Sequence, residues 1–140
     1  MVNKPWKGIK ILDISQGIAG PSCAQMFAEQ GAHVIKVEPP TGDWGRFVGV
    51  TSGEQSALSM QYNVAKRGLA LDARTPEGQA LLKTLATQFD VIVQNFRPGV
   101  VERMGMDYET LSATDPGLVY LSITGYGPDG PYAKLPASDS

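Results

Sequence analysis

Three groups of residues in this sequence have types and spacings that could do chemistry. The first is a glycine turn, Gly17-Ile18-Ala19-Gly20-Pro21, with Glu38 standing 21 residues after Gly17. A dinucleotide site would place an acid at about that distance to hold a ribose. The turn reads G-I-A-G-P-S, not G-x-G-x-x-G, and Pro21 removes an N–H that a pyrophosphate would use. The Pro39-Pro40 pair is also foreign to that pattern, so NAD is disfavoured. The second group holds the lone nucleophile and base. Cys23 sits near the positive end of an expected helix, where thiolates are stabilised. It also falls on that helix's apolar face with no base in sight, so we read it as a small buried cysteine. His33, the single histidine, has no Cys or His partners for a metal and builds no Ser-His-Asp array. Asp13 lies inside a strand and is expected to bond backbone at the strand end. The third group is cationic: Arg74, Arg97, Arg103 and the pair Lys66-Arg67 fall at strand ends or near helix starts. Asn95 and Phe96 sit where a strand meets its loop. If these loops share one sheet edge, they offer guanidiniums, backbone N–H groups and an amide to a polyphosphate. Solvated surface charges would have the same spacing.

The elements that must position these residues can be read from periodicity. Ile9, Ile11, Leu12 and Ile14 form an apolar run of strand length. Pro21 suits a first helical position, and Cys23, Ala24, Phe27 and Ala28 make a buried stripe that stops at Gly31. Val34, Ile35 and Val37 supply a second strand, closing a βαβ unit in about 30 residues. Such strands are expected to be parallel, with a right-handed crossover. The turn then lies at the carboxyl end of the first strand, where open α/β sheets bind ligands. Residues 41–64 show no clean period and read as a long loop. Thr75-Pro76-Glu77 opens a helix with stripe residues Leu81, Leu82, Leu85, Ala86 and Phe89. A short helix is expected from Pro98 to near Gly105, with one or two more turns over 108–113. Strands near 9–14, 33–38, 68–71, 91–95 and 118–124 alternate with helices, and Trp6 is expected on the sheet edge. The fold class is therefore α/β: an open, mainly parallel Rossmann-like sheet with flanking helices.

Composition sets the limits. The chain has 140 residues, 42% of them hydrophobic, enough for one domain with a core. A net charge of −2 without a basic run argues against nucleic acid. No stretch approaches the ~20 apolar residues of a membrane span. MVNKPWKG has no apolar region of a signal peptide, and one cysteine fits a reducing compartment, so cytoplasm is the expected location. The Gly/Pro-rich ending GYGPDGPYAKLPASDS carries no closing element. We therefore expect residues 1–140 to be the N-terminal part of a longer protein.

The motifs AGP, IKVEPP, KRGLALD, QNFRPG and GYGPDGPY, with the segments around them, strongly resemble the N-terminal part of the type III CoA-transferases. That family includes formyl-CoA transferase, carnitine and succinate CoA-transferases, and alpha-methylacyl-CoA racemase. The resemblance runs from about Gly8 to Asp139. It implies a Rossmann-like large domain that binds the CoA nucleotide, residues 1–140 being the N-terminal portion of a larger two-domain chain with a smaller second domain. The matching CoA-contact positions are Ile18 and Ala19, then Leu71, Asp72, Ala73 and Arg74, then Asn95, Phe96, Arg97 and Arg103. Pro39 stands where some members carry an arginine for the CoA phosphate. Ile18 replaces a glutamine that shapes the acyl site in formyl-CoA transferase, which argues against formyl/oxalate specificity.

The resemblance also implies a reaction. A family aspartate attacks the acyl-CoA thioester to form an anhydride, the CoA thiolate attacks that anhydride, and the acceptor acid then takes over the CoA. The position of that aspartate lies beyond residue 140, so no catalytic residue is assigned in this chain and the chain alone is expected to be inactive. No metal and no cofactor are implied, since the CoA thioester is a substrate. Acyl-CoA and a carboxylic acid acceptor are the expected partners, and the full-length member is an interlocked homodimer. Asp139 matches the acid of the racemases' GHD segment, with Ser138 in place of its histidine. A hydroxyl cannot replace that base, so an acyl-CoA racemase or epimerase is the lesser alternative. A non-catalytic CoA- or nucleotide-binding module is another.

Overall fold

Consecutive apolar residues in the strands face opposite sides of one sheet, and this determines the layering. Ile11, Val34 and Val93 pack with Ala24, Ala28 and Ala32 on one face, while Leu12, Val37 and Ile92 pack with Leu82, Phe89, Val101 and Met106 on the other. Strands buried on both faces read as near-continuous hydrophobic runs, as these do. The structure, a computed structural model, describes residues 4–137. Ser138 and Asp139 lie outside the described residues.

The chain runs β1 (Lys10–Asp13), α1 (Ala19–Glu29), β2 (His33–Glu38), a 3-10 turn (Trp44–Phe47), β3 (Thr51–Ser52), β4 (Gln55–Ser56) and α2 (Ala57–Tyr62). It continues through β5 (Arg67–Ala70), α3 (Pro76–Ala86), β6 (Val91–Gln94), α4 (Val100–Met104), α5 (Tyr108–Ser112) and β7 (Val119–Ser122). Five strands form one sheet in the order β5-β2-β1-β6-β7. All its pairings are parallel, with Ile11 opposite Val34 on one side and Val91 on the other. The expected α/β class and parallel sheet are present. Strand order reverses between β1 and β6: the chain builds outward from β1 through β2 to β5, then returns to add β6 and β7. Ligands of open sheets sit at such a reversal.

Several boundaries differ from the sequence reading. α1 begins at Ala19, so Pro21 falls within its first turn, where the missing N–H still has no intrahelical partner to lose. In α1 the buried residues are Gly20, Pro21, Ala24, Gln25 and Ala28; Cys23 and Phe27 lie at the margin of the stripe. Leu81 is 55% exposed, because a single helix face takes Leu82, Ala86 and then Phe89 beyond the helix end. α4 begins after Gly99, not at Pro98. Trp6 packs edge-on against Phe27 of α1 at 5.0 Å, not on the sheet edge. The stretch 41–64 is not a plain loop: it folds into the 3-10 turn, the antiparallel β3–β4 hairpin and α2.

Candidate functional site

The loops after β1 and β6 are tied together across the strand-order reversal. Gln16 N–H donates to Asn95 Oδ1 at 2.8 Å, and Asn95 Nδ2 donates back to the Gln16 carbonyl at 2.7 Å. Two cavities open on either side of this clamp. The first, ≈ 600 Å³, lies between the ends of β1, β2 and β6 and the helices α3 and α4, with Val37, Leu71, Leu82 and Met104 among its walls. The second, ≈ 550 Å³, is walled by Ala19, Trp44, Asn95, Ile123 and Leu135. Gln16 and Phe96 line both. Each volume falls in the range of small-molecule sites.

The residues singled out from sequence divide between these cavities. Leu71, Asp72, Ala73, Arg74 and Arg103 line the first, Ala19, Asn95 and Arg97 line the second, and Phe96 lines both. Ile18 lines neither and occupies the N-cap of α1. Asn95 places its side-chain amide on Gln16. Arg74 grips Asp72 through Nε and Nη2, each at 2.8 Å. Those hydrogen bonds hold the Asp72 carboxyl down to about 2. The Lys66-Arg67 pair separates: Lys66 turns inward, with a side chain 2% exposed, and leaves the solvent-facing cations.

Beneath the turn lies a charge network that sequence reasoning did not assemble. Asp13 accepts from the Ser15 N–H and hydroxyl, as a strand-end carboxylate should, and also pairs with Lys66 Nζ at 2.8 Å. Burial pushes the Lys66 ammonium below its ordinary value, against the opposing pull of Asp13. Ala65, at φ 63, takes a left-handed conformation unusual for a residue with a Cβ, immediately before this inward turn. Lys36 Nζ donates to the Ser15 carbonyl at 2.6 Å and pairs with Asp43 at 3.0 Å, both side chains 2% exposed. Glu38, the ribose-acid candidate, is instead engaged by Arg46 at 2.6 and 2.9 Å and by the Asp43 N–H. Burial alone would raise the Glu38 carboxyl. The hydrogen bonds and nearby Arg46 and Lys36 charges outweigh it and hold the group below the usual range. A lysine flanked by Ile35 and Val37 in a strand buried on both faces was the available signal, because an ionised side chain there needs a partner.

Gly17 shows why the turn needs glycine. Its φ is +76, and a Cβ there would overlap the Trp44 ring. Gly20 likewise leaves room for the Ser15 side chain. Cys23 is half-buried, and burial, followed by the Asp13 charge, raises its thiol above the ordinary value. That is the opposite of an activated nucleophile. Among the described residues no group of three or more His, Cys, Asp or Glu side chains could hold a metal. No described helix is long and apolar enough to cross a membrane.

A parallel sheet with its crevice at the strand-order reversal defines an open, doubly wound α/β class. The family description "CoA-transferase family III" matches residues 6–140, and the chain belongs to that family. A succinate–glutarate CoA-transferase from Agrobacterium fabrum is 40% identical, over 96% of this chain and 36% of its own length. A formyl-CoA:oxalate CoA-transferase from Afipia carboxidovorans is 42% identical, over 92% of this chain and 31% of its own. The crystal structure of a CAIB/BAIF family protein from Brucella suis superposes with a TM-score of 0.87 at 39% identity, covering 98% of this chain and 38% of that one. The chain thus spans about a third of the length of these curated relatives.

Proposed function

We propose that the protein carrying this chain is an acyl-CoA:carboxylate CoA-transferase, and that residues 1–140 form its CoA-binding segment. The observation that carries this reading is the pair of cavities meeting at Gln16 and Phe96 over the strand-order reversal. A ligand spanning both must be long, with a flat or apolar part and anionic groups at one end, which is the form of a CoA thioester. Leu71, Leu82, Phe96 and Met104 offer apolar walls to an adenine, while Arg74 and Arg103 line the same cavity for the nucleotide's phosphates. Ile18 and Ala19 bring the N-terminus of α1, whose first N–H groups have no intrahelical partner, toward the middle of the ligand. The arginine absent at Pro39 leaves the phosphate contact to Arg74 and Arg103.

In the proposed reaction an aspartate carboxylate attacks the thioester carbonyl and expels CoA thiolate, leaving a mixed anhydride. The thiolate attacks the aspartyl carbonyl, releases the donor acid and leaves an enzyme–CoA thioester. The acceptor carboxylate repeats the sequence in reverse and departs as the new acyl-CoA. The two buried aspartates near the cleft, Asp13 and Asp43, are each paired with a lysine and hydrogen-bonded; following the family resemblance, we propose that the nucleophile lies beyond residue 140. We further propose an interlocked homodimer and a cytoplasmic location. Exposed Phe47, Val50 and Met60 support the first, and the single free cysteine the second.

The test supplies the intact protein with succinyl-CoA and a panel of carboxylic acids and follows acyl-CoA species by chromatography. New acyl-CoA formed in step with succinate, without free CoA accumulating, is expected. Hydrolysis alone, or solvent deuterium entering the α-carbon without transfer, would contradict the transferase reading.

A further inference from the structure

The turn from Ser15 to Gly17 is held almost entirely by side chains from elsewhere. Ser15 N–H donates to Asp13, and the Ser15 carbonyl accepts from Lys36. Gln16 N–H and carbonyl both bond Asn95. Gly17 N–H donates to both oxygens of Asp43, each at 3.0 Å. Four side chains, from β1, β2, the β6 loop and the segment after β2, thus fix a three-residue backbone path that separates the two cavities.

Asp43 is the member with reach on both sides. Its carboxylate also accepts from Gly45 N–H at 2.9 Å, capping the 3-10 turn, and pairs with buried Lys36 at 3.0 Å. The next residue, Trp44, lies against Gly17 and lines the second cavity beside Ala19 and Phe96. One carboxylate therefore sets the backbone of the turn and the position of an aromatic wall together. The Asp43–Lys36 pair is 2% exposed at both ends. A buried ion pair of this kind is weak as a source of stability, since well-packed apolar residues of equal volume often do as well. Its geometry is the more specific contribution.

We infer that Asp43, oriented by Lys36, is a positioning residue for the far half of the ligand. It holds the Gly17 turn and Trp44 so that the second cavity keeps its shape, without touching the nucleotide end. This rests on the CoA reading of the cleft, because the two cavities are taken as the two ends of one ligand. A merely structural Asp43 would weaken every ligand together or affect melting alone.

The experiment compares two probes by calorimetry in the intact protein: the phosphorylated ADP half of CoA, and a non-reactive S-alkyl-CoA thioether. Two variants are used, Asp43→Asn and Gly17→Ala; the second displaces Trp44 while leaving the buried charge pair untouched. Folded protein is verified by circular dichroism. Both variants should bind the nucleotide half as wild type does, and lose about tenfold in thioether affinity. If Asp43→Asn fails to fold, Asp43→Glu decides: it keeps a carboxylate for Lys36 but shifts the contacts to Gly17 and Gly45, and it should weaken the thioether alone. Parallel weakening of both probes, or no change in either, overturns the inference and leaves the CoA reading standing. Wild-type protein that binds neither probe overturns both.

Discussion

Glu38 occupies the position where a ribose-binding acid would stand, and its surroundings give it a different task. Arg46 bonds both of its oxygens and the Asp43 N–H adds a third contact, so the carboxylate ties the end of β2 to the 3-10 turn. Its folded value lies below the ordinary 4.5. The stability it contributes is therefore fully present above pH 4.5 and is lost as pH falls through the lower folded value. Glu38→Gln should flatten the pH dependence of melting below pH 4.5 while leaving a lower, nearly constant melting temperature above it. Calorimetric scans of both proteins over that range are the check; an unchanged acid limb in the variant would contradict this role. The site residues differed in how far they were legible. Arg74, Phe96 and Arg103 could be marked from their places at strand ends and helix starts. Asp43 and Lys36 could not be paired, because their contact joins the middle of a strand to a segment without a period.

At the level of elements, α2 is held by its N-cap. Ser56 Oγ accepts from Ser59 N–H while Ser59 Oγ accepts from Ser56 N–H, a reciprocal capping box. The Ser56 hydroxyl also donates to the Gly45 carbonyl at 2.6 Å and so couples α2 to the 3-10 turn that carries Trp44. Ser56→Ala should cost about 1–2 kcal/mol, from the lost cap and the buried carbonyl it leaves unpaired. Denaturant titration would measure this, and a loss near zero would show that the cap is dispensable. The longer elements were readable because burial imposes a period on them: β2 appears at His33–Glu38, the range its pattern gave. Residues 41–64 were not readable because a four-residue 3-10 turn, two-residue strands and a six-residue helix are too short to display one. Those pieces are positioned by Asp43, Ser56 and Glu38, through contacts that periodicity does not encode.

For the whole molecule, the sheet order decides where ligand can bind, and lateral order is not written in a linear pattern. Five alternating strands predicted a parallel sheet; the return of β6 to the far side of β1 brings Asn95–Arg97 beside Gln16 and Ala19. That juxtaposition turns dispersed motifs into one cleft. Phe47 and Val50 are 66% and 86% accessible, and the proposed homodimer would cover these apolar side chains. Light scattering of the intact protein should give twice the chain mass, and a monomeric mass at working concentration would contradict the dimer.

Arg103 is the cation on which the proposed CoA site depends most. Among the described residues no carboxylate pairs with it, in contrast to Arg74 with Asp72 and Arg46 with Glu38. It therefore enters the first cavity as an unengaged cation. The decisive measurement is a calorimetric titration of CoA, with NAD as control, into wild-type protein and Arg103→Ala. We expect saturable CoA binding, no NAD heat, and about tenfold weaker CoA binding in the variant, with the loss shrinking at high salt. NAD binding without CoA binding would contradict it, as would CoA binding indifferent to Arg103.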